Sequence, residues 1–126
     1  MNIILWTLQV LLAVAFLAHG WIFLFPPQSL LAQMNASIAP AFRIFIGVAE
    51  VLAAIGLILP GLTRMLPWLV PAAAAGLMIV TISATIFHLA RGEVSSAVTT
   101  AVLFVLVTSV AYSRWRVAPI RPRTTN

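Results

Sequence analysis

Cysteine, lysine and aspartate are all absent from this chain, and its 126 residues carry only two carboxylates, Glu50 and Glu93. Without cysteine the chain builds no disulfide, thiolate metal site, Cys-ligated iron–sulfur cluster or dithiol relay. Without lysine and aspartate the charged fraction falls to 7%, against 63% hydrophobic residues and a mean hydropathy of +1.13. Such a composition lies outside the soluble range and matches a membrane protein. The net charge of +5 comes from seven arginines, four of them between Arg114 and Arg123. That excess marks a tail beside a membrane span, which is a topology or headgroup signal, and nucleic acid is not an expected partner.

What the chain has in abundance is long apolar runs. Four of them stand out: Ile3 to Phe25, Phe42 to Leu59, Trp68 to Ala90 and Val94 to Tyr112. An α-helix needs roughly 20 residues to cross a hydrocarbon core about 30 Å thick, and helices are the spanning option for runs of this length. Proline and glycine cut the runs apart: Pro26-Pro27 after the first, Pro60-Gly61 after the second, Pro67 and Pro71 about the start of the third, Arg91-Gly92 after it. Trp6, Trp21, Trp68 and Trp115 fall near the expected ends, where an interfacial aromatic belt places them. The expected fold is therefore all-α, a four-transmembrane-helix bundle over residues 1–113. Residues 114–126 read as a basic cytoplasmic tail that is disordered, since Pro119, Pro122 and the charges carry no apolar period. The first run lacks a basic leader and exceeds the apolar length of a signal peptide, about 7 to 15 residues, so it reads as a retained helix.

Arginine counting sets the expected orientation. Arg64, Arg114, Arg116, Arg121 and Arg123 share one side and Arg43 and Arg91 the other, which puts both termini in the cytoplasm. The expected location is a bacterial cytoplasmic membrane. The loop from Pro26 to Ala41 then lies outside, either as one or two turns of interfacial helix or as irregular chain.

Glu50 is the one acid inside an apolar run. A carboxyl group in hydrocarbon is costly unless paired, protonated or wetted, and marks a candidate functional site. At the usual helical rise His19 lies about 9 Å, and Glu50 about 12 Å, inside the outer ends of their helices. His88 and Arg43 lie near outer ends as well, so His19, Arg43, Glu50 and His88 form a candidate polar pocket or proton relay in the outer half. Arg43 and Glu50 are seven apart and share a helix face, but side chains lean toward the helix N-terminus. Arg43 would therefore snorkel away from Glu50, and a direct ion pair needs it to curl back. Against this stands a simpler reading: Glu50 as a protonated structural carboxyl, the histidines as interhelical hydrogen-bonding groups, Arg43 and Arg91 as helix-end anchors. Two histidines on two helices also suggest bis-His haem, but their depths differ by about one helical turn and haem is not expected. No metal site is expected. Gly47, Ala49, Ala53 and Gly56 offer bare surface for close helix packing within the bundle, and no homo-oligomer is implied.

Around these residues the chain resembles a known family. Phe16-Leu17-Ala18-His19-Gly20-Trp21 in the first helix, Phe42-Arg43-Ile44-Phe45-Ile46-Gly47-Val48-Ala49-Glu50 in the second, Gly56 to Pro60 at its close and Ile86-Phe87-His88-Leu89 in the third are similar to the DoxX-like membrane proteins, over roughly residues 3 to 115. The resemblance implies a four-helix membrane bundle with Arg43, Gly47, Glu50 and His88 as its polar site. The family takes its name from a small membrane subunit of a thiosulfate:quinone oxidoreductase. The implied role is that of a membrane subunit or partner of an oxidoreductase, without catalysis by this chain alone, whose outer-leaflet pocket takes a quinone-like or other amphipathic molecule. The alternatives are a small proton-coupled transporter and a non-catalytic assembly factor or scaffold.

Overall fold

A computed structural model describes residues 2–124. The first helix, α1 (Asn2–Leu24), is followed by a short α2 (Gln28–Ser37). Three long helices come next: α3 (Pro40–Thr63), α4 (Leu69–Ala90) and α5 (Val94–Tyr112), the last extended by a π-helical turn over Ser113–Val117. No strand occurs among the described residues. Four helices are long and apolar enough to cross a membrane, and large side chains such as Leu11, Phe45, Leu52, Ile79 and Val102 point outward from them. The protein is a multi-pass membrane bundle. The helices follow one another around the bundle in the order α1, α3, α4, α5, with a thinner contact closing α5 on α1.

The inward face of each helix follows a seam of alternating three- and four-residue steps. On α3 the buried residues are Arg43, Gly47, Glu50, Ala54, Leu57 and Gly61, together with Pro60. On α4 they are Val70, Ala74, Leu77 and Thr81. This spacing is that of left-handed, near-antiparallel helix packing. Leu12, Phe16, Leu57, Leu77, Val107 and Val110 form the apolar centre. Lipid is as apolar as leucine, so burial of such side chains does not by itself drive association; close approach and polar contacts must contribute. Gly20 and Gly47 supply the closest approach. A Cβ on Gly20 would stand 2.9 Å from the Gly47 carbonyl oxygen, and one on Gly47 would stand 3.0 Å from the Gly20 carbonyl oxygen. On the other side of α3, a Cβ on Gly56 would meet the Ala73 Cβ at 2.8 Å. Thr85 and Thr100 join α4 to α5 through a hydroxyl–hydroxyl bond of 2.8 Å.

Three expectations need correction. Pro60-Gly61 does not end the second long helix; α3 runs on to Thr63 with Pro60 buried inside it. A proline removes one helical hydrogen bond but is tolerated in membrane helices, and α3 stops instead where Arg64 turns left-handed at φ 56°. Of the two readings left open for the segment beyond Pro26 the helical one holds, but over ten residues, α2, rather than one or two turns, with no buried residue. The tail does not begin at Arg114. The helix continues through Val117 with an Ala118 N–H to Ser113 carbonyl bond of 2.7 Å, and Arg114 is buried because the bundle supplies polar partners for it. The start of α1 and the extension of α5 lie together, since Arg114 Nη1 donates to Asn2 Oδ1 at 2.6 Å.

Candidate functional site

The seam spacing of α3 turns Glu50 toward α1, where it is only 3% exposed. Gly20 and Gly47 bring the two helices close there, and a Cβ on Gly20 would also crowd the Glu50 Cβ, at 3.2 Å. His19, next in sequence to Gly20, lies beside the crossing and reaches over it. Its Nδ1 stands 2.6 Å from Glu50 Oε2. The His19 side chain is 52% exposed. The pair thus has one member sealed in the bundle and one facing outward, with the ring tilted against Phe23 at 4.4 Å between centroids. Among the described residues no other hydrogen bond to the ring is formed, which leaves Nε2 open to a ligand.

Chemically, the pair has two states that differ by one proton. With Glu50 ionised, Nδ1–H donates to the carboxylate and Nε2 is an acceptor. With Glu50 protonated, its hydroxyl donates to Nδ1 and Nε2–H is a donor. The outward nitrogen therefore accepts or donates according to where the inner proton sits.

Arg43 is buried too, but it does not snorkel and does not pair with Glu50. Its Nη1 donates to the Phe23 carbonyl in the last turn of α1. Carbonyls in a last turn lack helical partners, and a cation there also opposes the negative end of the helix dipole. Arg43 thus ties the end of α1 to the start of α3, about two helical turns from Glu50 on the same buried face. Its Nε is buried without a protein partner among the described residues.

His88 is bonded elsewhere. Its Nδ1 is 2.9 Å from Oε2 of Glu93, and Arg91 Nε donates to the other oxygen at 2.6 Å. The turn between α4 and α5 is thereby stapled by a carboxylate held between two basic groups, with the Arg91 guanidinium over the Phe87 ring at 5.3 Å. The hydrogen bond from Arg91, and after it that from His88, hold the Glu93 carboxyl below its ordinary value of 4.5. The structure therefore joins His19 to Glu50, sets Arg43 at the adjoining helix end, and gives His88 a carboxylate of its own. Of the small residues, Gly47 lies at the α1–α3 crossing, Gly56 lies against Ala73, Ala53 packs on the core and Ala49 is half-buried.

Sequence reasoning missed a second buried polar group. Gln9 is fully buried on α1; its Nε2 donates to the Leu57 carbonyl at 2.6 Å and its Oε1 accepts from Arg114 Nε at 2.6 Å. Arg114 also donates to Asn2 and to the Ala118 carbonyl, and sits over the Trp6 ring at 5.3 Å. A lone glutamine inside an apolar run was the available signal. Gln9 is uncharged and so did not stand out beside Glu50.

A model of the DoxX-like family matches residues 7–110 of the chain. No curated protein and no solved structure matches it.

Proposed function

The chain belongs to the DoxX-like family, and from that premise we propose that it acts in redox metabolism as a membrane subunit that binds an amphipathic, quinone-like molecule at His19 and Glu50. The observation that carries this reading is the 2.6 Å contact between the half-exposed His19 ring and the buried Glu50 carboxyl. A quinone reaches its site from within the bilayer and needs two things there: a hydrogen-bonding group for its oxygen and a route for the proton. His19 Nε2 would supply the first. When a hydroquinone hydroxyl passes its proton to Nε2, the ring passes its Nδ1 proton to the Glu50 carboxylate, and the imidazole ends neutral. The reverse sequence protonates a reduced quinone. Electrons would pass to a partner oxidoreductase in the first direction and come from it in the reverse, since this chain has no cysteine with which to build a thiol or iron–sulfur relay. Arg43 and the Gly20–Gly47 crossing are positioning elements in this scheme: they fix α1 against α3 and so fix the ring against the carboxyl.

Binding of decyl-ubiquinone, followed by quenching of tryptophan fluorescence in nanodiscs, tests the proposal. Saturable quenching by the wild-type protein, lost in both His19→Phe and Glu50→Gln variants of unchanged thermal stability, is the expected result. Equal quenching in all three proteins would remove the pair from any quinone site.

A further inference from the structure

The two side-chain carboxylates of the chain are both engaged, Glu50 by His19 near the middle of α3 and Glu93 by Arg91 and His88 in the α4–α5 turn. The end of the bundle opposite that turn carries Arg64, Arg114, Arg116, Arg121 and Arg123. Among the described residues none of these five has a carboxylate partner. Three of them are gathered by the backbone. Arg64 Nε donates to the Arg121 carbonyl at 2.9 Å, its Nη2 donates to the Pro122 carbonyl at 3.3 Å, and the Arg123 N–H donates to the Arg64 carbonyl at 2.9 Å. Arg64 itself is held left-handed to make that turn. Ile120 anchors the returning segment in the notch left by Gly61 beside Trp6: a Cβ on Gly61 would stand 2.9 Å from Ile120 Cδ1 and 2.7 Å from Trp6 Cη2.

These backbone bonds bring three arginines into one short stretch of surface and raise the positive potential there, which favours an anion. Arg64, Arg121 and Arg123 are all exposed, so the group is open to an anion from outside the chain. The membrane surface at this end supplies anionic headgroups, and clusters of arginine beside a span attract them. An apolar groove of about 450 Å³ runs between α3 and α4 toward the same end, lined by Leu52, Gly56, Leu59, Pro60, Leu69 and Ala72. Its floor is low because Gly56 faces Ala73. Arg64 lies in the turn that closes this groove, four residues after Pro60. We infer that the folded-back segment 118–124 and Arg64 form a binding site for one anionic phospholipid, with the phosphate on the Arg64–Arg121–Arg123 cluster and an acyl chain along the α3–α4 groove. The site is independent of the His19–Glu50 pair and of what that pair binds.

Native mass spectrometry in mild detergent tests this with phosphatidylglycerol and phosphatidylcholine of matched acyl chains. One phosphatidylglycerol is expected to stay bound in preference to phosphatidylcholine. Arg121→Gln and Arg123→Gln leave the backbone bonds of the segment in place, and each is expected to lower that preference about fivefold, the usual effect of one arginine at a membrane surface. Ile120→Ser keeps every charge but frees the segment, and is expected to lose the preference as well. Ala72→Phe fills the groove and should weaken both lipids alike. The site is overturned if the wild-type protein shows no preference, if Ile120→Ser retains it in full, or if Arg116→Gln, outside the cluster, reduces it as much as Arg121→Gln.

Discussion

His19 Nδ1 and Glu50 Oε2 stand 2.6 Å apart across the α1–α3 crossing, one side chain half exposed and the other sealed. Glu50→Gln keeps the shape of the buried group and one hydrogen bond to the ring, but it can no longer take up a proton. Its unfolding free energy in detergent is expected to change by no more than about 1 kcal/mol, the net worth of an ordinary hydrogen bond. Growth complementation or reconstituted turnover is expected to fail. A variant that complements fully takes Glu50 out of the functional residues, and one that does not insert makes it structural.

The same crossing depends on two missing side chains. Gly20→Ala must displace the Gly47 backbone carbonyl, and Gly47→Ala must displace Leu24 and the Gly20 carbonyl. Each is expected to lower stability by about 1–3 kcal/mol, the usual cost of overpacking. Gly76→Ala is the control, because nothing lies within 4 Å of its added methyl. It should be neutral or stabilising, as alanine favours the helix by up to about 1 kcal/mol. Thermal unfolding in detergent measures all three, and equal effects would mean that the close approach does not matter.

Gln9 and Arg114 form a unit, so their substitutions should not add. Gln9→Leu leaves the buried Arg114 Nε without its partner and is expected to cost about 1–3 kcal/mol. Arg114→Met removes the buried charge itself. The double variant is expected to be less destabilised than the sum of the two singles, since neither leaves a group for the other to orphan. Strict additivity in a double-mutant cycle would show that the contact contributes nothing.

The α4–α5 turn should weaken in acid. Because Glu93 is held below its usual 4.5 in the folded protein, the stability it contributes is present above that value and is lost as the pH falls through the lower folded value. Hydrogen exchange at the turn is expected to accelerate in that range in the wild-type protein. Glu93→Gln should show the faster exchange already at neutral pH and no further acid step at the turn. An identical acid step in the variant would assign it to another group.

Both termini are expected on the cytoplasmic side, with α2 outside. Single cysteines at Asn35 and Thr124, placed in a chain that has none of its own, should differ in labelling by an impermeant reagent on intact cells. Asn35→Cys is expected to react and Thr124→Cys to stay unlabelled. The reverse pattern would invert the topology.

The four spanning helices were legible because apolar length is enough to mark a span. The ends were less so. Pro60 reads as a stop only if every helical hydrogen bond is assumed necessary, and α3 tolerates one missing bond. Within the site, Glu50 stood out by charge, whereas its partner depended on how α1 turns. On apolar helices the inward face is marked by small and polar residues set among apolar ones, because the outside is apolar as well. Gln9, Gly20, Arg43, Gly47, Glu50, Gly61, Thr81 and Arg114 all lie on buried seams, and leucine and isoleucine cover the outside. The steps from 43 to 47, 50, 54, 57 and 61 were present in the sequence, but they appear only when small and polar residues are counted as the interior. Arg114 escaped because its neighbours Arg116, Arg121 and Arg123 made the whole segment read as charged tail. His88 was placed by depth alone, which does not reveal that Glu93, five residues on, is within reach.

The separation of the five arginines from both carboxylates limits the symmetry of any assembly. Turning the inserted bundle over would carry those guanidinium groups through hydrocarbon, at about 3 kcal/mol for each one at the core even on the lenient insertion scale. Neighbouring copies are therefore expected to share one direction through the bilayer. Any ring or pair the chain forms with itself is then expected to have its rotation axis along the membrane normal, with all arginine ends on one face.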